Sequence, residues 1–205
     1  MAMRRLGYSE PWLRAGVVSA EEVVAQAELY DRACANPDDE ELGYYQSPEH
    51  HRWSAFMRFI ESRKTVSDAV FDALVDAGIA EVHAPPDMPS IGASLLLNLI
   101  DCPIVTASQR ARLISLEIDD SYIRVAGRRR TLKEALSYNP HEPSHQDAAL
   151  RFAWDKDGQG NRDSVMERWL VNHLPVTALA LARLAVEGRA KAIRNTAKQR
   201  LKRGR

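Results

Sequence analysis

The sequence predicts an all-α protein, an irregular right-handed stack of helical hairpins. Three observations point there. Helix-start signals recur along the chain, no long alternation of apolar and polar residues marks a strand, and helix–proline–helix segments return at a nearly constant interval. The 205 residues are 45% hydrophobic and 27% charged, the composition of a chain that can bury a core rather than stay disordered. An irregular helical bundle is the alternative arrangement of the same elements. The expected organisation is an acidic N-terminal helical cap over 1–46, a helical-repeat core over 47–188 and a basic C-terminal helix over 189–205.

The elements follow in order. Ser19-Ala-Glu-Glu22 is a capping box, in which the Ser oxygen takes an orphan N–H and the Glu reaches back. Val23, Val24, Ala27 and Tyr30 continue at helical spacing to a stop at Asn36-Pro37. Ser47-Pro48 pairs an N-cap with a proline at the first helical position, ahead of a stripe of Trp53, Phe56, Met57 and Ile60. Val66–Ala77 predicts a helix with Val70, Phe71, Leu74 and Val75 inward and Gly78 as its stop. Ile91–Ile100 is nearly all apolar and ends at Asp101-Cys102-Pro103. Thr106 with Gln109 opens a further helix, and Leu113–Val125 reads as helix with a hairpin at Asp119-Asp120 as the alternative. Thr131 with Glu134, Ser144 with Asp147 and Ser164 with Glu167 repeat the start signal. Pro175 divides the helix of Trp169 and Leu170 from that of Leu179, Leu181 and Leu184, which Gly188 ends. About nine helices joined by short loops result.

Segments 95–114, 132–152 and 165–185 align as an internal repeat. Each is an apolar helix broken at Pro103, Pro140 or Pro175 that restarts toward Ala111-Arg-Leu, Ala149-Leu-Arg or Ala182-Arg-Leu. The prolines are 37 and 35 residues apart, and Ile123-Arg124 returns as Ile193-Arg194 after 70. A unit of about 35 residues is that of a helical-hairpin repeat, whose apolar face is buried only by stacking on a neighbour. Over residues 65–197 the chain resembles HEAT-like and leucine-rich-repeat-variant α-solenoids. Asp119-Asp-Ser-Tyr-Ile-Arg124 looks like the aspartate-to-arginine turn of a HEAT repeat. The resemblance implies an interaction scaffold in which Asp119 or Asp120 and Arg124 pair along the stack.

Charge is segregated beneath a formal net of zero. Residues 188–205 carry eight Lys and Arg and no acid, which leaves −8 on the rest. Such asymmetry concerns partners rather than fold. No run of about 18 apolar residues occurs, so no membrane span is expected. The N-terminal stretch lacks the apolar segment of a secretory signal, and two distant cysteines, Cys34 and Cys102, read as buried small residues suited to a reducing, cytoplasmic setting.

Few motifs suggest chemistry. Asp155, Asp157 and Gly160 occupy the first, third and sixth positions of a calcium loop, but Gln159 replaces a carboxylate and Met166 replaces the closing Glu. His141 and His145 have metal-ligand spacing on a helix that Pro143 interrupts. These four residues are weak metal candidates, and a flexible Gly-rich loop before a capped helix, with loop and cap histidines, is the favoured account of them. No Walker loop, dinucleotide fingerprint or nucleophile elbow occurs, so no catalytic set and no cofactor is expected. The basic residues are the better candidates for a site. Arg189, Lys191, Arg194, Lys198, Lys202 and Arg205 surround a thin apolar edge of Ala190, Ile193, Ala197 and Leu201. Arg128, Arg129, Arg130 and Lys133 form a second cluster. The expected function is a non-catalytic protein-binding scaffold. Nucleic-acid binding through the two basic clusters is the alternative, and a HEAT-like DNA-repair enzyme a more distant third.

Overall fold

A computed structural model describes residues 1–84, 90–116, 118–173 and 176–203. Among them are twelve α-helices, one 3-10 turn and no strand, so the chain is all-α. It divides into two compact units, 1–124 and 125–205. This division sharpens the charge segregation. Residues 1–124 hold 11 Lys and Arg against 20 Asp and Glu, a net of −9, whereas 125–205 hold 17 against 8, a net of +9.

The N-terminal unit contains α1 (Ala2–Leu6), α2 (Glu10–Arg14), α3 (Ala20–Ala35), α4 (Pro48–Glu61), α5 (Asp68–Val82), α6 (Gly92–Asp101) and α7 (Ala107–Ser115). The capping boxes at Ser19 and Thr106 form with both of their hydrogen bonds. Two short helices precede the first expected one, and they matter: Leu6 and Trp12 are fully buried. Gly78 does not stop α5, which runs on to Val82. Its missing side chain instead admits Leu96 of α6, whose Cγ lies 2.7 Å from where a Cβ would be. Gly92 answers it, because a Cβ there would stand 2.5 Å from the Gly78 carbonyl oxygen. The two glycines let α5 and α6 cross at backbone contact.

The segment 113–125 is neither one helix nor a hairpin. α7 ends at Ser115, and α8 (Ser121–Tyr138) begins after Asp120, whose Oδ1 accepts the Ile123 N–H at 2.9 Å. An aspartate that caps a new helix breaks the old one, because its carboxylate offers the backbone a local alternative partner. The boundary between the units falls in the first turn of α8.

The C-terminal unit continues with α9 (Pro143–Trp154), α10 (Ser164–Asn172), α11 (Ala178–Glu187) and α12 (Lys191–Arg203). Three expected caps move. Thr131 lies inside α8 and donates to the Gly127 carbonyl, while Glu142 and Asp163, not Ser144 and Ser164, cap α9 and α10. Carboxylates two and one residues upstream displace the hydroxyls because a charged acceptor suits the positive helix end better. Helix–break–helix occurs around Pro103 and around Pro140, while Pro175 lies outside the described residues. Phe152, Met166, Leu170, Leu184, Ile193 and Ala197 form the core. The basic helix is therefore part of the core rather than a loose tail: α12 packs on α11 and α10.

Candidate anion-binding interface

Several basic residues of the C-terminal unit are taken up by the fold, and they are arginines. Arg129 makes a two-pronged ion pair with Asp163, whose side chain is almost wholly buried: Nε and Nη2 reach one oxygen at 3.0 and 2.8 Å. The other oxygen of Asp163 accepts the Met166 N–H at 2.8 Å, so one carboxylate caps α10 and fixes α8 to it. Arg130 pairs with Glu134 one turn on, and the Arg128 guanidinium lies 5.4 Å from the centre of the Phe152 ring. Arg194 donates to the carbonyls of Gly188 and Arg189 at the end of α11. Arg200 donates to those of Val171 and His173 at the end of α10, at 2.7 and 2.9 Å. A planar guanidinium satisfies several orphan carbonyls at a helix C-terminus, where positive charge is also favoured.

The lysines of α12 face the other way. Lys191, Lys198 and Lys202 are exposed, and none pairs with a carboxylate among the described residues. At 3.6 residues per turn they lie within about 40° of one line, over roughly 16 Å of helix. Ile193 and Ala197 occupy the opposite, buried face. Lys133, on α8, is half-buried beside the Trp169 ring, with its Nζ 6.0 Å from the ring centre. Arg205 lies outside the described residues.

A second cationic feature was not legible as such in the sequence. Lys156, Gly160, Asn161, Arg162 and Arg189 line a cleft of about 540 Å³. The loop between α9 and α10 shapes it. Gly160, at φ +80°, donates its N–H to Asp155 Oδ1, and Asp157 accepts from Gln159 N and Asn161 Nδ2. The two calcium-loop carboxylates thus fold onto their own loop. Behind the cleft sits the fully buried Glu167, which accepts the Arg189 backbone N–H at 2.9 Å and lies 3.0 Å from Arg162 Nη2. No group of three His, Cys, Asp or Glu stands ready to hold a metal among the described residues, and His141 and His145 converge on none.

The N-terminal unit has an internal polar site of a different kind. Arg52 and Glu81, both buried, are paired at 3.1 Å. Arg52 also donates to the Leu6 carbonyl. Glu81 accepts from Trp12 Nε1 at 3.2 Å and from the Ile91 N–H at 2.8 Å. Burial pushes the Glu81 carboxyl up, against the pull of Arg52 and of the Ile91 N–H. A cleft of about 410 Å³ opens beside the pair, lined by Arg4, Tyr8 and Ser9 among others. The expected stripe of α4 is rotated to make this possible: Arg52, Phe56 and Phe59 are buried, while Trp53, Met57 and Ile60 are only partly so. Sequence periodicity treats an arginine as outward, and only its distant partner Glu81 turns it in. His51 is buried next to it, with Nε2 2.9 Å from the Tyr45 carbonyl oxygen, and burial lowers its pKa.

The resemblance to HEAT repeats assigned a stacking pair to Asp119 or Asp120 with Arg124. The structure pairs Arg124 with Asp119 of its own turn at 3.7 Å, both well exposed, and uses Asp120 as the α8 cap. Of the cysteines, Cys102 is buried and Cys34 is exposed, contrary to expectation, since it follows the last buried position of α3; both are free thiols. No helix of the described residues is long and apolar enough to cross a membrane. Comparison with known protein families, with curated proteins and with solved structures finds no match for this chain.

Proposed function

We propose that the chain is a non-catalytic interaction module, an adaptor that binds a protein partner through charge displayed on rigid helices. One observation carries this reading: on α12 Arg194 and Arg200 close helix ends, and Lys191, Lys198 and Lys202 are left in a solvent-facing row. A row of unpaired cations on a packed helix costs the fold self-repulsion and returns nothing to the core, which is the signature of a surface kept for a partner. The division into units of −9 and +9 supports an electrostatic partner choice. Within each unit, the helix–break–helix segments are consistent with HEAT-like hairpins, which we take as the finer fold reading. The free thiols suit a reducing, cytoplasmic compartment.

The same row favours a second reading, nucleic-acid binding, since three lysines over roughly 16 Å can neutralise successive backbone phosphates. One experiment separates the two. The full chain and a K191E/K198E/K202E variant are used as bait in native lysate at low salt, with and without nuclease. Capture that survives nuclease but is lost in the variant supports the protein partner. Capture abolished by nuclease moves the reading to nucleic acid, and equal capture by both baits ends the lysine-row account. Deleting 189–205 is not a usable test, because Ile193 and Ala197 belong to the core.

A further inference from the structure

The cleft between the 155–163 loop and the start of α12 has its own chemistry. Its lining is cationic and polar: Lys156, Arg162 and Arg189 with Asn161 and Gly160. No carboxylate lines it. Asp155 and Asp157 are occupied by the loop's N–H and amide groups, and Glu167 by the Arg189 N–H and Arg162. The side chains of Lys156 and Arg189 have no partner among the described residues. The Nε of Arg162 is buried and makes no hydrogen bond, although its Nη2 donates to the Glu187 carbonyl at 2.7 Å. The buried Glu167 carboxylate lies 3.0 Å from the same guanidinium and compensates its charge, which leaves Lys156 and Arg189 as the cleft's cations without a counter-charge.

We propose that this cleft binds a phosphate group. Arg162 is the fixed element, held by Glu187 and Glu167 so that its orientation is set before the ligand arrives. Lys156 and Arg189 are the adaptable ones, able to close on the oxygens from the loop and from the start of α12. Three cations less the Glu167 carboxylate paired with Arg162 leave a net of about +2, which matches a dianion, and a guanidinium offers paired N–H donors to a phosphate's oxygens. The cleft is separate from the row of lysines and does not depend on that row's function. The phosphate can come from a small phosphate ester or from a nucleic-acid backbone, which Lys191 would lead away along α12.

The test uses the full chain at low chloride. Calorimetric titration with inorganic phosphate and with pyrophosphate is compared between the wild type and the variants K156Q, R189Q and K156Q/R189Q. These side chains hold nothing else in place, and an unchanged melting temperature checks that. Saturable binding weakened about tenfold or more in the double variant is expected, the size of one lost charge-assisted bond. A short oligonucleotide forms the second arm. Oligonucleotide binding that needs Lys156 and Arg189 identifies a backbone phosphate, and phosphate binding without it identifies a small ligand. No heat from either phosphate, equal heat in the double variant, or a matching response to chloride overturns the proposal. Oligonucleotide binding lost only in K191E/K198E/K202E, with no phosphate heat that needs Lys156 and Arg189, overturns the cleft while leaving the nucleic-acid reading intact.

Discussion

The two units handle the arginine side chain alike and the surrounding charge differently. In the N-terminal unit Arg52 and Arg110 are buried. Arg110 closes the end of α6 by donating to Ile100, Cys102 and Val105, as Arg200 closes α10 in the C-terminal unit. The difference lies in what remains. The N-terminal unit keeps a surplus of acid on its surface and a closed ion pair inside, while the C-terminal unit keeps a row of lysines and a cationic cleft outside. Arg52 and Arg110 build one unit and Arg129 and Arg200 the other, but only the C-terminal unit sets exposed lysines in a row along one helix. Function is therefore to be sought where cations have no structural duty.

The largest effect should come from breaking the pair that the N-terminal unit closes. Glu81→Ala leaves Arg52 buried without its counter-charge, an expected loss of about 3–5 kcal/mol in denaturant unfolding. The double change R52M/E81L should recover much of that loss, and a single variant as stable as wild type would show the pair to be solvated. Next comes the helix crossing. Gly92→Val places carbon against the Gly78 carbonyl and should cost about 3 kcal/mol, where a mere loss of backbone freedom would cost nothing.

In the C-terminal unit Asp163→Ala removes the α10 cap and the partner of Arg129 together, a loss of roughly 2–3 kcal/mol on melting. A smaller contrast is sharper. Arg200→Ala should cost about 1 kcal/mol by orphaning two carbonyls, whereas K191E/K198E/K202E should alter stability by no more than roughly 0.5 kcal/mol. Equal losses would mean that the lysines hold the fold after all.

The smallest effect concerns pH. Burial holds the His51 pKa below its ordinary value, so the unfolded chain takes up the proton first. Stability conferred by the neutral ring is complete above the unfolded pKa, about 6.5, and is lost as pH falls below it. The melting temperature should drop on acidification from neutrality, and His51→Gln, which keeps a donor for the Tyr45 carbonyl, should reduce that slope.

Local signals were legible and distant partners were not. Ser19 and Thr106 opened helices as expected because a capping box is complete within four residues. Thr131 carried the same signal and failed, since α8 had already started at Asp120 and a hydroxyl inside a helix simply bonds back to Gly127. Gly78 looked like a stop because its neighbour across the crossing, Gly92, is fourteen residues away in sequence. The candidate site was half legible. Lys191, Lys198 and Lys202 follow from helical spacing, but nothing in the string Arg128-Arg-Arg130 tells that Asp163 waits for the middle one. Lys156 and Arg162 lie in the stretch that resembled a calcium loop, and they become a site only when Arg189 arrives from another element.

The central claim is that the lysine row of α12, not the arginines beside it, is the binding charge. Its most direct test is capture from native lysate at low salt by the full chain, by K191E/K198E/K202E and by Arg194→Gln, each checked for an unchanged fold. Loss of the bound partner in the lysine variant, with retention in the arginine variant and after nuclease treatment, is the predicted result. Undiminished capture by the lysine variant would contradict it.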